Sequence, residues 1–360
     1  IPDREALRRE VEARSGVPCP KYMNLCTLFL TKSICQLAPG GRLAYVLPTE
    51  FLHAAYARGL RARILREGLL RAVIRIRQDR DLFPGAVTTC CILLLDRRPK
   101  DGARFVSQDR LEELAGRSLE DLPGRTVSPE DMAPEGSWMP YFAGPEEPVY
   151  KNLVPTARFF RAGRGIATGA NDYFCLTASQ LAAFRIPRSC AVPCLCRSRD
   201  VKGPQFTAGD LANLISRDKP VFLLAPEGSD APADYLARGL ALRINQKYLP
   251  AHRDPWYAPE PQIPAPIWIA GACRGGMKVV RNLAGIRTLT TFHLVRPRQG
   301  VDPDLLFAYL RSPMAQELLL RQSRTMGQGL TKLQPGDLNR GQMLDLDRLS
   351  PEDRRRAIAL

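Results

Sequence analysis

The chain has 360 residues, of which 45% are hydrophobic and 25% are charged. These values are typical of one large or two medium folded domains and argue against a mainly disordered protein. No apolar run approaches the roughly 18 residues that a transmembrane helix needs, so no membrane partner is expected. The formal net charge of +15 favours a polyanionic partner, although solvated arginine-rich helix faces would also produce it.

Two features bear on the compartment of the protein. The first residues, Ile1-Pro2-Asp3-Arg4-Glu5, are charged where a secretory signal carries an apolar core, and they do not begin with Met. We therefore expect the chain to start inside a longer polypeptide. Ten cysteines are too few for a disulfide scaffold, and Cys90 and Cys91 lie in an apolar run that favours reduced thiols. Together these features predict a cytoplasmic protein.

The sequence predicts neither a metal site nor a hydrolytic triad. Cys190, Cys194 and Cys196 have the spacing C-x3-C-x-C, with no second pair and no neighbouring His. The histidines lie far apart and have no Ser or Cys nucleophile motif nearby. We therefore expect no bound metal and structural histidines.

In chain order, the first hundred residues alternate between helical and strand patterns. Helices are predicted at 4–14, 22–37 and 50–67, and strands at 43–47, 71–76 and 89–95. The run at 43–47 fits a strand that is covered on both faces in a parallel sheet. The loop before residue 89 is too short for a crossover helix, so the last two strands should be antiparallel. This order predicts an α/β fold: the second half of a doubly wound, Rossmann-like sheet with an antiparallel edge hairpin.

Later segments change in character. Residues 99–150 are acidic and rich in proline, which predicts a linker. Residues 151–345 carry many short apolar runs between Gly and Pro, which predicts a mostly β domain with a helix near 304–322. Residues 346–360 are predicted to form a charged tail. The basic excess lies on both sides of the acidic linker.

Three motifs in the first hundred residues recur in a known enzyme family. Residues 22–29 are Tyr-Met-Asn-Leu-Cys-Thr-Leu-Phe, residues 37–49 are Leu-Ala-Pro-Gly-Gly-Arg-Leu-Ala-Tyr-Val-Leu-Pro-Thr, and residues 81–89 are Asp-Leu-Phe-Pro-Gly-Ala-Val-Thr-Thr. In this order they resemble the gamma-class, Taq-type N6-adenine DNA methyltransferases just after their catalytic motif. The resemblance implies that residues 1–98 form the C-terminal half of a methyltransferase catalytic domain.

The second block also resembles this family. Residues 163–174, Gly-Arg-Gly-Ile-Ala-Thr-Gly-Ala-Asn-Asp-Tyr-Phe, are similar to the opening of its target-recognition domain. The stretches 253–257 and 327–333 are similar to recurring features of that domain. The resemblance therefore implies that residues 151–345 form a target-recognition domain that binds DNA.

Two family motifs are missing from the sequence. The family binds S-adenosylmethionine at a Gly-containing strand-to-helix turn and holds the target amine with an Asn/Asp-Pro-Pro-aromatic motif. Neither occurs in this chain, and Asp254-Pro255-Trp256-Tyr257 lacks the second proline. Because the family places both motifs upstream of the segment that matches residue 22, we expect a chain cut after the catalytic motif, inactive alone and without catalytic residues of its own.

Methyl transfer to an exocyclic amine requires the base to leave the duplex. By resemblance, Phe83 stacks against the extruded adenine and Pro84 shapes its loop; alternatively, Phe83 is a core residue that caps the hairpin. Phe29 matches the position that packs against the cofactor's adenine and should face the sheet, where core packing would also explain it.

Polar and basic residues in Gly-containing segments of the second block are the candidate DNA contacts. For each one, phosphate contact, base recognition and a solvated surface charge all stay open. The candidates are Arg164, Thr168, Asn171, Arg197, Arg199, Arg274 and Lys332.

The sequence thus indicates a portion of a site-specific DNA methyltransferase, transferring a methyl group from S-adenosylmethionine to adenine N6 in a restriction-modification or related defence system. Expected partners are double-stranded DNA and an upstream methyltransferase half or restriction subunit. The alternative is a non-catalytic DNA-binding or specificity protein, either a remnant or one piece of a split enzyme. An RNA-binding protein is a third hypothesis, disfavoured by the absence of an RNP-like aromatic stretch.

Overall fold

The chain divides into two compact units in a computed structural model. The amino-terminal unit comprises Ile1–Val149 with Thr325–Gly329, and the carboxyl-terminal unit comprises Tyr150–Arg324 with Leu330–Leu360. The structure describes residues 3–77, 89–98, 101–133, 136–142, 150, 152–226, 232–325 and 330–359. Within these ranges, none of the helices has both the length and the apolar character needed to span a membrane.

The amino-terminal unit is a mixed α/β structure. Its helices are α1 (Arg4–Ser15), α2 (Leu25–Cys35) and α3 (Arg58–Arg66), and its strands are β1 (Arg42–Pro48), β2 (Leu70–Ile76), β3 (Cys90–Asp96), β4 (Ala103–Gln108) and β5 (Gly124–Val127). Asn24 begins α2 because its side-chain oxygen accepts a hydrogen bond from the backbone N–H of Thr27 at 2.8 Å.

The five strands form one sheet in the order β1-β3-β2-β4-β5. β3 is antiparallel to both β1 and β2, β2 is parallel to β4, and β4 is antiparallel to β5. The predicted antiparallel pairing of β2 with β3 is confirmed. The predicted edge position of this hairpin is wrong, because β3 inserts between β1 and β2 and lies inside the sheet.

β1 is the strand whose prediction needs correction. In the described part of the chain it pairs with β3 alone and forms the end of the sheet. Its side chains alternate between exposed and partly buried, and Val46 is 52% exposed. It is therefore not covered on both faces as predicted, since only the face that contains Leu43, Tyr45 and Leu47 packs on the helical core.

The segment predicted as a linker is part of the amino-terminal unit. β4 and β5 extend the sheet, and Trp138 is fully buried against Phe51 and Phe105 at ring-centroid distances of 6.0 and 6.5 Å. The guanidinium of Arg61 donates to the carbonyl oxygens of Phe51, at 2.7 Å, and Gly136, at 3.1 Å. Prolines and acidic residues suggested a linker, but the apolar residues between them complete this core.

The carboxyl-terminal unit contains many short elements. Its strands are β6 (Leu153–Pro155), β7 (Phe160–Arg164), β8 (Cys175–Leu176), β9 (Ala191–Leu195), β10 (Gln205–Phe206), β11 (Phe222–Leu224), β12 (Ile267–Ala270), β13 (Ala272–Arg274), β14 (Val279–Asn282), β15 (Arg287–Thr288), β16 (Phe292–Pro297), β17 (Arg324–Thr325), β18 (Leu330–Lys332) and β19 (Gln342–Leu344). Its helices are α4 (Asn171–Phe174), α5 (Ala178–Ala183), α6 (Ala208–Ser216), α7 (Ala233–Ala241), α8 (Tyr248–Ala251), α9 (Pro303–Arg311), α10 (Pro313–Gln322), α11 (Pro335–Arg340) and α12 (Pro351–Ala359).

The prediction of a mostly β unit is wrong, because the described helices hold more residues than the strands. Short helices such as α7, in which Tyr235 and Gly239 are buried one turn apart, alternate with the strands. The helix predicted near 304–322 is present as two helices, α9 and α10, since Pro313 begins a new helix after Ser312.

Two sheets organise this unit. One has the order β10-β14-β12-β16-β7 and the other β15-β9-β11-β8. Alternate residues of β12 face different cores: Trp268 packs in one, and Ile267 and Ile269 pack in the other with α9. The predicted charged tail contains α12, which packs against α9, and Leu346 and Ala357 join the core that includes Leu306. This segment is therefore folded onto the unit.

We expect Trp138→Ala to lower the free energy of unfolding of the amino-terminal unit by about 3–5 kcal/mol, because it leaves a cavity beside Phe51 and Phe105. Thermal unfolding followed by circular dichroism measures the change. The control Leu111→Ala, at an exposed position of the same segment, should shift the transition little. An equal, small shift for both variants would restore the linker interpretation.

Candidate nucleic-acid interface

A glycine-containing turn between β7 and α4 holds three of the predicted DNA contacts. A Cβ atom at Gly165 would lie 2.0 Å from the carbonyl oxygen of Leu289, so only glycine permits this close approach of two backbones. At Gly169 the backbone has φ +78°, and a Cβ would lie 2.9 Å from both Leu249 and Pro250. These contacts fix the path of the turn.

Arg253 holds the same turn from inside the unit. Its guanidinium donates to the carbonyl oxygen of Thr168 at 3.2 Å and also to that of Ala167. Burial lowers the pKa of Arg253 from its usual value, yet a guanidinium stays protonated at neutral pH. Arg253 is thus a positioning residue. It lies in the stretch 253–257, where the sequence gave no signal of this role.

The structure places Thr168 inside the turn. The side chain is buried, its hydroxyl donates to Oδ1 of Asn171 at 2.5 Å, and the hydroxyl oxygen accepts from the backbone N–H of Ala170 at 3.1 Å. In the described structure the Thr168 hydroxyl is therefore engaged within the turn, and its predicted contact with DNA stays a prediction. The hydroxyl orients Asn171, which is exposed at the start of α4.

Asn171 and Arg197 are brought together by the fold. Both line an open cleft of about 520 Å³, together with Cys175, Cys196 and Lys219. Arg197 precedes a 3-10 helix, Ser198–Asp200, that carries the exposed Arg199. The cleft therefore holds the amide of Asn171 and the cations of Arg197 and Lys219, groups that contact phosphate oxygens in protein–DNA complexes. The carboxylates of Asp172 and Asp218 also line it.

The turn that carries Arg199 is held by Lys278. The ammonium group of Lys278 donates to the carbonyl oxygens of Ser198, at 3.4 Å, and Val201. Burial lowers the pKa of Lys278 from its usual value. The sequence gave no signal for this role, because Lys278 lies 79 positions after Arg199.

Arg274 and Lys332 form a second basic pair. They lie on adjacent antiparallel strands, β13 and β18, where Ala272 pairs with Lys332 and Arg274 pairs with Leu330. Diagonal neighbours of this kind project from the same face of the ladder, and both side chains are exposed. Neither of them lines the cleft that contains Asn171 and Arg197.

Arg164 stands at the end of β7, opposite His293 of β16 in the antiparallel ladder. Its guanidinium forms an exposed ion pair with Glu260. Exposed ion pairs of this kind contribute roughly 0–1 kcal/mol to the free energy of unfolding. Arg164 can therefore exchange the Glu260 carboxylate for a phosphate with little loss of free energy.

His293 connects β16 to the strand that carries Lys332. Its Nε2–H donates to the carbonyl oxygen of Leu333, at 2.6 Å. Burial lowers the pKa of His293 from its usual value, which keeps the imidazole neutral. The predicted structural role of this histidine agrees with its geometry.

The cysteines singled out in the sequence are part of the core. Cys190, Cys194 and Cys196 are buried in one hydrophobic cluster. A hydrogen bond to Cys196, together with burial, raises the pKa of the Cys175 thiol. Among the residues that the structure describes, no group of three or more His, Cys, Asp or Glu side chains is arranged to hold a metal ion.

The two aromatic predictions have different outcomes. Phe83 and Pro84 lie outside the described residues. Phe29 does not face the core as expected: the buried face of α2 carries Leu28 and Ile34, whereas Phe29 is 42% exposed. The helix packs against β1, the end strand of the described sheet.

Residues 149–358 match the family model described as Type II methyltransferase M.Eco57I, C-terminal domain. Among curated proteins, the Type II methyltransferase M.AccI of Acinetobacter calcoaceticus is 35% identical over 364 residues, covering 97% of this chain and 67% of that protein. The Type II methyltransferase M.XamI of Xanthomonas campestris pv. amaranthicola is 23% identical, covering 85% of this chain and 57% of that protein.

The Type IIL restriction-modification enzyme MmeI, solved in complex with DNA, is among the structures with a similar fold. Its TM-score is 0.55 and its sequence identity is 11%. The match covers 88% of this chain and 41% of MmeI. At this identity the likeness concerns the fold alone.

We expect Gly169→Ala to destabilise the carboxyl-terminal unit more than Gly275→Ala. Both positions have positive φ, +78° and +89°, which costs about 1–2 kcal/mol for a residue with a Cβ. Only the Cβ at position 169 collides with α8, since nothing lies within 4 Å at Gly275, and overpacking adds about 1–3 kcal/mol. Thermal unfolding compares the two variants; equal losses would contradict the packing of α8 on the turn.

We expect His293 to make the carboxyl-terminal unit less stable in acid. The unfolded chain binds a proton at this residue below about pH 6.5, whereas the folded state, with its lowered pKa, does not. The stabilising contribution is therefore complete above pH 6.5 and is lost as the pH falls below it. Denaturant unfolding between pH 5 and 7.5 should show a shallower decline for His293→Gln than for the exposed control His252→Gln. Identical declines would contradict this assignment.

Proposed function

Because the chain belongs to the family of Type II methyltransferases, we propose that it is a portion of a site-specific DNA methyltransferase of a restriction-modification or related defence system. The reaction proposed is transfer of a methyl group from S-adenosylmethionine to adenine N6. The observation that carries the proposal is the 35% identity to M.AccI over 97% of the chain. The proposal that the target base is adenine rests on the resemblance of residues 22–29, 37–49 and 81–89 to the Taq-type motifs.

The two units divide the work in this proposal. The carboxyl-terminal unit, which begins at Tyr150, recognises DNA, and the family's C-terminal domain begins at residue 149. Exposed cations at Arg197, Arg274 and Lys332 supply phosphate contacts. MmeI, which has a similar fold, was solved in complex with DNA.

The amino-terminal unit supplies part of the catalytic domain. The chain spans 67% and 57% of the lengths of M.AccI and M.XamI, and β1 stands at the end of the described sheet. An edge strand presents backbone N–H and C=O groups to another strand. We therefore propose that the edge of β1 and the adjoining exposed side of α2 contact another half of the methyltransferase. That half would carry the cofactor turn and the Asn-Pro-Pro-Tyr motif.

Phe29 fits the proposed cofactor. Its partly exposed ring stands on the helix beside β1 and offers a flat apolar face to an adenine moiety. S-adenosylmethionine supplies the methyl group when bound. Asn24 orients the helix, because its amide donates to the hydroxyl oxygen of Tyr56 at 2.8 Å while its oxygen caps α2.

The target adenine must leave the base stack, since N6 inside the duplex cannot align with a methyl donor. Phe83 and Pro84, which lie outside the described residues, are proposed to hold it there by their resemblance to the Taq-type motif at 81–89. We also propose that the chain acts in the cytoplasm and has a restriction subunit as a partner. The alternative, a non-catalytic DNA-binding or specificity protein, shares the recognition unit and differs in cofactor binding.

We expect this chain to enrich one defined sequence from a pool of random duplexes, and N6-methylation of an adenine in that sequence to change its affinity. Anisotropy at two salt concentrations should show weaker binding at higher salt. Lys332→Gln should weaken binding to every duplex alike, whereas Lys32→Gln in α2 should not. An enriched sequence without adenine would contradict adenine methylation, and no enrichment would contradict site-specific recognition.

Calorimetric titration with S-adenosylmethionine then tests whether this chain carries a cofactor pocket of its own. Micromolar binding that Phe29→Ala weakens would support a cofactor pocket on this chain. Sequence-specific DNA binding without cofactor binding would support a recognition portion that requires another methyltransferase half, or the specificity protein.

A further inference from the structure

The segment from α7 to α8, residues 238–252, exposes an aromatic and apolar patch. Tyr248 is 77% exposed and Leu242 is 54% exposed. Leu240, in the same segment, is 50% exposed, and an apolar patch rimmed by polar residues is typical of an interaction site. We call residues 238–252 the Tyr248 edge.

The charge of this edge has one sign. Arg238, Arg243 and Lys247 are exposed, and the sequence from 235 to 253 contains no Asp or Glu. Within the described ranges, neither Arg243 nor Lys247 has an ion-pair partner. Arg238 lies over the ring of Phe184, 5.1 Å from its centroid.

The aromatic ring is held in place. Tyr248 packs against the imidazole of His252, with 4.6 Å between ring centroids. The ring N–H of His252 donates to the carbonyl oxygen of Tyr248, at 2.6 Å. One side of the tyrosine ring is therefore supported by the protein while the rest of the ring stays in solvent.

The Tyr248 edge adjoins the turn that carries Asn171. Leu249 and Pro250 of α8 pack directly on Gly169. An open cavity of about 210 Å³ is lined by Ala170 and Asp172 on the turn side and by Arg238, Leu242 and Lys247 on the other. The edge thus lengthens the candidate nucleic-acid interface on one side.

We propose that the Tyr248 edge is a DNA-contact element: the Tyr248 ring stacks on a nucleotide at an opened base step, and Lys247 and Arg243 contact the flanking phosphates. A ligand for this surface must offer a flat apolar face next to negative charge, which is the chemistry of a nucleotide. A polyanion fits this surface better than a neutral protein partner, because residues 235–253 contain basic side chains and no carboxylate. This inference rests on the DNA binding proposed above.

The test measures binding of the 360-residue chain to a mixed-sequence duplex that contains 2-aminopurine, by anisotropy and by base fluorescence. Tyr248→Ala should weaken binding about fivefold or more and abolish the quenching of 2-aminopurine, whereas Tyr248→Phe, which keeps the ring, should retain both. The double variant Arg243→Gln with Lys247→Gln should reduce the slope of log affinity against log salt by about 2.

The control is Leu283→Ala, which truncates an exposed apolar side chain on the same unit and should leave binding unchanged. If the unaltered chain binds DNA and Tyr248→Ala binds equally well with the same quenching, the inference is wrong and the proposed function stands. If the unaltered chain shows no salt-dependent binding, DNA binding by this chain is overturned and the inference with it. Equal thermal unfolding of the Tyr248 variants and the unaltered chain confirms that each is folded.

Discussion

Strand β3 is the element on which the amino-terminal sheet depends. It hydrogen-bonds β1 on one side and β2 on the other, antiparallel to both. Because β3 fills the space between two strands that run in the same direction, β1 is pushed to the end of the described sheet. At this end of the sheet Val46 of β1 and Phe29 of α2, the helix that packs on β1, are both exposed.

The same unit shows how a polar contact holds an irregular segment. The buried guanidinium of Arg61 donates to the backbone carbonyls of Phe51, Ala54 and Gly136, and burial lowers the pKa of Arg61 to about 10. A charge this deeply buried is stable only when its donors are satisfied. Loops far apart in sequence are thereby fixed over one core.

In the carboxyl-terminal unit, positioning residues serve the exposed ones. Arg253 donates to the Thr168 carbonyl, the Thr168 hydroxyl donates to Asn171, and Lys278 holds the turn that carries Arg199. Cations that bind backbone carbonyls are unavailable to phosphate, so the net charge of +15 overstates the charge that faces a partner. The proposed DNA contacts are the side chains left at the surface of this framework.

The sequence by itself determined the family, the helices α1 and α2, the strands β1 to β3 and the antiparallel pairing of β2 with β3, because these depend on local periodicity, short loops and motif order. The helix predicted at 50–67 is present only from Arg58 to Arg66, after two 3-10 turns. Only the tertiary structure decided that β3 is central, that Trp138 completes a core, that Thr168 is buried and that Arg274 lies beside Lys332. Each of these depends on residues distant in the chain. Local patterns specify which element forms, whereas strand order and burial depend on the free energy of packing the whole unit.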